Sequence, residues 1–331
     1  MTPYFSFWYN IIKTSLTSMK IKLSILLIVI ATLCVAQEQE KEYNSAIVRV
    51  NHLIEGTLMT PYSSDDDDVP LIIFIMDAGA INREGNDRMS KNDAFKLLAI
   101  ELAKNGIASY RYDKRLFKID AYGIKENEIS LNHFIEDTES IVSYFKKNGS
   151  YSKLILAGHG QGSLIGIMAA QQNIDSFISI AGNAQSIDQI IVQQLEKQAP
   201  GLDKSAAAAF KDLKEKGRAL NYDPALESIF GYQVQYFMKS WIKYTPSEEI
   251  KNLNIPILIV QGNKDLQVEV SEAEKLKEVV PNATYLIIED MNHILRKIKG
   301  SRLENHKSYN EYWLKIMPEI IDAITNFVKN E

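Results

Sequence analysis

Cysteine is all but missing from this chain: among 331 residues only Cys34 carries a thiol. That excludes an intramolecular disulfide and a cysteine-based zinc site. Long apolar runs are missing as well. The richest one, Leu23 through Ala36, covers 14 residues, short of the roughly 20 that a membrane-crossing helix needs. A strong charge of either sign is also lacking, since 37 basic and 42 acidic side chains give a formal net charge of −5. A mildly acidic chain is a poor match for nucleic acid or anionic lipid. Of the five histidines, His52, His133 and His306 have no partners at metal-ligand spacing. No metal and no organic cofactor is expected.

What the N-terminus does contain is a targeting pattern. Lys20 and Lys22 precede the Leu23–Ala36 run, and Cys34-Val35-Ala36 closes it before Gln37-Glu38-Gln39-Glu40. A basic start, a short apolar stretch and a small residue at the end are the parts of a cleaved export signal. The expectation is that residues 1–36 are such a signal, with translation starting at Met19, and that the mature chain is periplasmic or extracellular with no stable membrane span. An uncleaved anchor is the alternative; Leu33 is too large for the position before a lipoprotein cysteine. Cleavage removes Cys34, Lys13, Lys20 and Lys22, leaving 34 basic against 42 acidic residues, a charge of −8.

The remainder has ordinary globular composition, 46% hydrophobic and 24% charged, with chain enough for a large core. Short apolar runs alternate with helix-period segments, which predicts an α/β fold with a mainly parallel, twisted sheet flanked by helices. The candidate strands are 71–76, 107–112, 153–157, 177–181, 256–260 and 284–288, with an antiparallel edge pair within 47–58. Ala94, Leu98 and Leu102 share a helical face that stops at Asn105-Gly106. Ser271-Glu272-Ala273-Glu274 has the form of a capping box, and Pro318 opens a last helix. Between about 184 and 250 the strand-like runs stop and helical stretches take over, predicting a helical cap inserted into a domain that spans 37–331. Phe230, Tyr236 and Trp241 of that cap are candidate pocket residues, together with Asp77. Asp65-Asp66-Asp67-Asp68 lacks the alternating ligand spacing of a calcium loop and reads as a solvated turn.

The chemistry concentrates at Gly158-His159-Gly160-Gln161-Gly162, which sits between an apolar strand and an apolar helix. This is the frame of a nucleophile elbow, G-x-S-x-G, with Gly160 where the serine belongs. Asp265 follows the strand ending at Val260, and His293 follows the one ending at Ile288. Strand ends of a parallel sheet are where an orienting acid and a general base are placed, and elbow, acid, histidine is the order of an alpha/beta hydrolase.

From about Ile47 to Val328 the chain resembles the alpha/beta-hydrolase superfamily, in its secreted serine esterase or peptidase-like branch. The resemblance rests on the elbow frame, Gly262-x-x-Asp265, Met291-Asn292-His293, Asn82-Arg83-Glu84-Gly85-Asn86 and Tyr112-Asp113-Lys114-Arg115. It implies Asp265 as orienting acid, His293 as general base, and the backbone N–H groups of Ala78 and Gln161 as the oxyanion hole. Two positions depart from the pattern: Gly160 has no hydroxyl, and Asp77-Ala78-Gly79-Ala80 replaces a Gly-Ser-Gly-Pro-like segment. A carboxylate at Asp77 opposes the negative charge that acyl transfer develops.

Three functions are compatible with this pattern. One is a degenerate ester hydrolase that still binds a small ester-like molecule. A second is an active esterase-like enzyme, either because Gly160 is a change from a parental serine or because Asp265 and His293 activate water directly. The third is a dinucleotide-binding protein, since Gly158-His159-Gly160-Gln161-Gly162-Ser163 approximates G-x-G-x-x-G; several strands precede it and no acidic residue follows at the next strand end, which speaks against that reading.

Overall fold

The computed structural model describes residues 42–62, 69–171 and 173–330. The export-signal segment 1–36, Met19 included, and Asp65–Asp68 lie outside the described residues. The chain divides into two compact units, Met1–Glu42 and Tyr43–Glu331; the second carries every strand and helix among the described residues.

Eight strands form one sheet: β1 (Tyr43–Arg49), β2 (Glu55–Pro61), β3 (Leu71–Ile75), β4 (Ala108–Tyr112), β5 (Leu154–His159), β6 (Ser176–Ile180), β7 (Ile257–Gly262) and β8 (Thr284–Ile288). Their order is β1-β2-β4-β3-β5-β6-β7-β8. The β1–β2 and β2–β4 pairs are antiparallel and all later pairs parallel. This is the alpha/beta-hydrolase fold expected from the alternation of runs.

Nine helices of seven residues or more accompany the sheet among the described residues. They are α1 (Ala94–Lys104), α2 (Leu131–Asn148), α3 (Gln161–Ala169), α4 (Ile187–Gln198), α5 (Leu202–Lys216), α6 (Tyr232–Trp241), α7 (Val270–Val279), α8 (Arg302–Ser308) and α9 (Pro318–Asn330). A central parallel strand must be apolar on both faces, and β3, Leu-Ile-Ile-Phe-Ile, is buried throughout. Its side chains alternate: Leu71, Ile73 and Ile75 join a cluster with Phe134, Ile141, Ile165 and Leu276, on α2, α3 and α7. Ile72 and Phe74 join Leu98, Leu102, Ile320 and Ile324, on α1 and α9. Each such fully buried aliphatic side chain contributes about 1.5–3 kcal/mol.

Between β6 and β7 the chain leaves the sheet as α4, α5 and α6. Ala206, Ala209, Phe210, Leu213, Leu226, Phe230 and Met238 form a separate cluster there. One local expectation fails. α7 starts at Val270 behind Glu269, with no side-chain cap. The Glu272 carboxylate instead accepts from the backbone N–H of Ala184 (2.9 Å) and Gln185 (3.0 Å), where the chain enters the cap region.

Candidate active site

The loops leaving β3, β5, β7 and β8 at their C-terminal ends meet at one point. Gly160 stands between β5 and α3 with φ +54° and ψ −119°, a conformation that costs a residue bearing a Cβ about 1–3 kcal/mol. The turn is also closely packed: a Cβ on Gly162 would lie 2.1 Å from the Ile75 carbonyl oxygen, so only glycine fits.

His293 lies in a loop whose neighbours Asp290 and Leu295 both have positive φ. Asn292 pins that loop to α8, donating to Asn305 Oδ1 and Ser308 Oγ, each at 2.9 Å, while its Oδ1 accepts from the N–H of Arg296. Asp265 is fixed in turn, its Oδ1 accepting from the N–H groups of Gln267 (2.7 Å) and Val268 (3.0 Å). His293 Nδ1 donates to Asp265 Oδ2 at 2.8 Å. The acid and the histidine read from the sequence are therefore in contact.

On the other side of the imidazole the structure places a second carboxylate. His293 Nε2 donates to Asp77 Oδ2 at 3.0 Å, and the Gln161 N–H donates to Asp77 Oδ1 at 2.7 Å. An ideal Cβ on Gly160 would sit 2.0 Å from Asp77 Oδ1. The Asp77 carboxylate thus fills the space a nucleophile side chain at position 160 would take. It also occupies the amide expected to stabilise an oxyanion. Ala78, the second expected oxyanion donor, lies exposed one residue along the same loop.

Two carboxylates on one imidazole fix its charge. Burial alone would depress the His293 imidazole, but the charge and hydrogen bond of Asp265, and then those of Asp77, outweigh it and push it up to about 10. Burial works against the Asp77 anion, yet the hydrogen bond and charge of His293 hold its carboxyl far below the usual carboxylate range. Asp265 is lowered in the same way, the charge of His293 outweighing burial. At neutral pH the centre is aspartate, imidazolium, aspartate.

The support beneath Asp77 was not read from the sequence. Lys114, buried at the end of β4, donates through Nζ to the Asp77 carbonyl oxygen at 2.7 Å and to Gln161 Oε1 at 2.8 Å. Burial lowers its ammonium to about 8, against the attraction of Asp77. Arg83 joins the same loop to Asp113, with its N–H on Oδ1 (2.9 Å) and its guanidinium on Oδ2 (2.6 Å). Both residues belong to segments that carry the family resemblance, and their charges hold the loop that aims Asp77.

The remaining candidates lie elsewhere. Phe230 is fully buried in the cap cluster against Phe210 and Tyr222, because its ring completes that separate core instead of facing the site. Tyr236 is half exposed in a surface groove with Arg218, Tyr232 and Lys239, and Trp241 packs on Phe237. Ser163 turns away from the elbow toward Ser179 Oγ, 2.7 Å distant. His159 donates from Nε2 to the His293 carbonyl at 2.9 Å, and burial, then the His293 charge, lower it to about 4. Asp77, His159 and His293 present potential metal-ligand atoms within 4.8 Å of one another. These donors are already turned on each other, and an imidazolium has no lone pair to give a cation. The Gln161 amide that a pyrophosphate would use in the dinucleotide reading is likewise held by Asp77.

Among the described residues no helix is long and apolar enough to cross a membrane. Two solved structures share the fold. Est1E from Butyrivibrio proteoclasticus matches at 16% identity and TM-score 0.55, over 86% of this chain and 98% of that one. Esterase B from Lactobacillus Rhamnosis matches at 15% and 0.52, over 94% and 93%. In sequence, Esterase EstD of Thermotoga maritima is 27% identical over 269 residues, 78% of this chain and 62% of its own length. The chain thus spans less than two thirds of that relative. Probable aminopeptidase YbaC of Bacillus subtilis is 35% identical over 65 residues, 20% of each chain. The family model Hydrolase_4, described as Serine aminopeptidase, S33, matches residues 89–296, and the chain belongs to that family.

Proposed function

We propose that this chain is an exported, esterase-like hydrolase-fold protein that has lost serine-based acyl transfer and keeps its strand-end site for a small ester-like ligand. The observation that carries this is the Asp77 carboxylate lying where a Gly160 side chain would be. A serine at 160 and an aspartate at 77 cannot share that volume, so the two departures from the family pattern act as one coupled change. That counts against an isolated exchange of a parental serine. Direct activation of water by Asp265 and His293 is disfavoured as well: a base that already carries two protons accepts no third. Ferulic acid is bound to Est1E in one of its structures. Here Asp77 already holds the amide of Gln161, so a neutral ester-like molecule suits this site and a second carboxylate does not. Export is supported by the Leu23–Ala36 pattern and is checked by a secreted product whose N-terminal residue is Gln37.

The test of the main reading uses a fluorophosphonate probe and a short-chain aryl ester. The native chain is expected to stay unlabelled and to hydrolyse the ester at background. Gly160→Ser is expected to remain silent, because its Cβ collides with Asp77, whereas Gly160→Ser combined with Asp77→Gly gains label and turnover. Labelling of the native chain, or of Gly160→Ser alone, overturns the reading.

A further inference from the structure

We propose that Asp77 is a replacement nucleophile, and that the site opens epoxides, three-membered cyclic ethers, through a covalent ester formed on the Asp77 carboxylate. The inference rests on the reading that Gly160 has vacated the nucleophile position. It adds that the vacated place was taken over and not merely blocked.

The geometry supplies what such a reaction needs. A carboxylate is an established covalent nucleophile, and this one stands within 2.0 Å of where a Cβ on Gly160 would be. Its side chain is 15% exposed and the adjoining Ala78 and Gly79 are exposed, so the substrate would approach Asp77 from the β3 loop side. Lys114 fixes the backbone of Asp77 by its carbonyl. An acyl substrate is a poor match, since its developing oxyanion would need the Gln161 amide that Asp77 Oδ1 already holds. Attack on a saturated carbon develops no such oxyanion. It does require an acid for the departing ring oxygen, and His293 Nε2, 3.0 Å from Asp77 Oδ2, carries that proton.

The steps balance. An Asp77 oxygen attacks a ring carbon, the carbon–oxygen bond of the ring breaks, and the released oxygen takes the proton from His293 Nε2. Asp77 is now a neutral ester and His293 a neutral imidazole oriented by Asp265. With one of its two flanking charges gone, His293 becomes a base and removes a proton from water, whose oxygen attacks Asp77 Cγ. The tetrahedral oxyanion forms at Oδ1, against the N–H of Gln161. Collapse expels the alkoxide, which takes the proton back from His293, and the new Asp77 carboxyl proton passes to His293. The product is a vicinal diol, and one oxygen of the carboxylate now comes from water.

The experiment uses the full chain with propylene oxide, 1,2-epoxyhexane and styrene oxide. In a single turnover in ¹⁸O-water the native protein is expected to form diol and to gain ¹⁸O in the peptide containing Asp77. Native protein quenched in acid during that turnover is expected to carry one epoxide mass on the same peptide. Asp77→Asn, shown folded by circular dichroism, is expected to lose about 10³-fold or more in turnover. Recovery of all three epoxides unchanged from the native protein overturns the proposal, as does diol formation with no ¹⁸O at Asp77. If either occurs while Gly160→Ser with Asp77→Gly still gains esterase activity, the lost-serine reading stands and only the replacement nucleophile falls. Fluorophosphonate labelling of the native chain removes both.

Discussion

His293 sits between Asp265 at 2.8 Å and Asp77 at 3.0 Å, and this arrangement has a signature in stability against pH. The imidazole is raised from 6.5 to about 10. Its contribution to stability is therefore fully present below pH 6.5 and is lost as pH rises toward 10. His159, lowered to about 4, has the opposite sign: its contribution is present above 6.5 and lost as pH falls. Asp77 and Asp265, both lowered, add a further loss on the acid side. Lys114, lowered to about 8, gives stability back only between about 8 and its ordinary value. Thermal melting followed from pH 4 to 9 is expected to peak near 6.5 and to fall between 6.5 and 8, before Lys114 begins to compensate. Asp77→Asn should flatten that alkaline fall, since one of the two charges raising His293 is gone. A native profile that still rises from pH 6.5 to 8 contradicts the imidazolium assignment. At this scale the sequence disclosed Asp265 and His293, whose strand-end positions follow from the apolar runs before them. It did not disclose where the Asp77 carboxylate points. That depends on Lys114, 37 positions along the chain, and on the Arg83 pair with Asp113.

The elements were legible in proportion to how much of each one is buried. β3, β5, β6 and β7 are buried along their whole length, and each appears as a mainly apolar run, with Ser176 and Ser179 the polar residues within β6. Amphipathic helices of the cap gave a weaker signal: spacing marks Phe230 and Tyr236 as helical but not which side faces inward, and only Phe230 turned into the cluster. Glu272 shows the same limit. It directly follows Ser271 in a segment whose capping box would close on Glu274, yet its own carboxylate reaches a neighbouring element, where the N–H groups of Ala184 and Gln185 claim it. Glu272 is 3% exposed and also meets Gln185 Nε2 and Lys275. Glu272→Ala should therefore cost about 1–3 kcal/mol for each donor left unsatisfied. Glu272→Gln should lose less, because an amide oxygen still accepts. Urea midpoints at an unchanged m-value check this, and an alanine variant as stable as the native chain refutes the joint.

At the scale of the whole molecule, the hydrophobic residues divide by position and not by sequence order. Two clusters cover the faces of the sheet, and a third is confined to the segment between β6 and β7. The cap meets α2 through particular bonds such as the Leu131 N–H to Ser240 Oγ, 2.8 Å. Contiguous units with their own cores open at their own free energies, up to that of global unfolding. The cap has the smaller core, and its helices lack the two-sided pairing that locks β3, β5, β6 and β7. Hydrogen exchange is expected to be slowest in those four strands, and at least about tenfold faster in α5 and α6, which corresponds to roughly 1.4 kcal/mol less for opening the cap. Partial opening of that kind gives a ligand a route to the strand ends without disturbing Asp77, Asp265 or His293, which are held by loops anchored in the sheet. Cap and sheet amides exchanging at one common rate would mean a single cooperative body, and entry would then have to follow the exposed Ala78–Gly79 side alone.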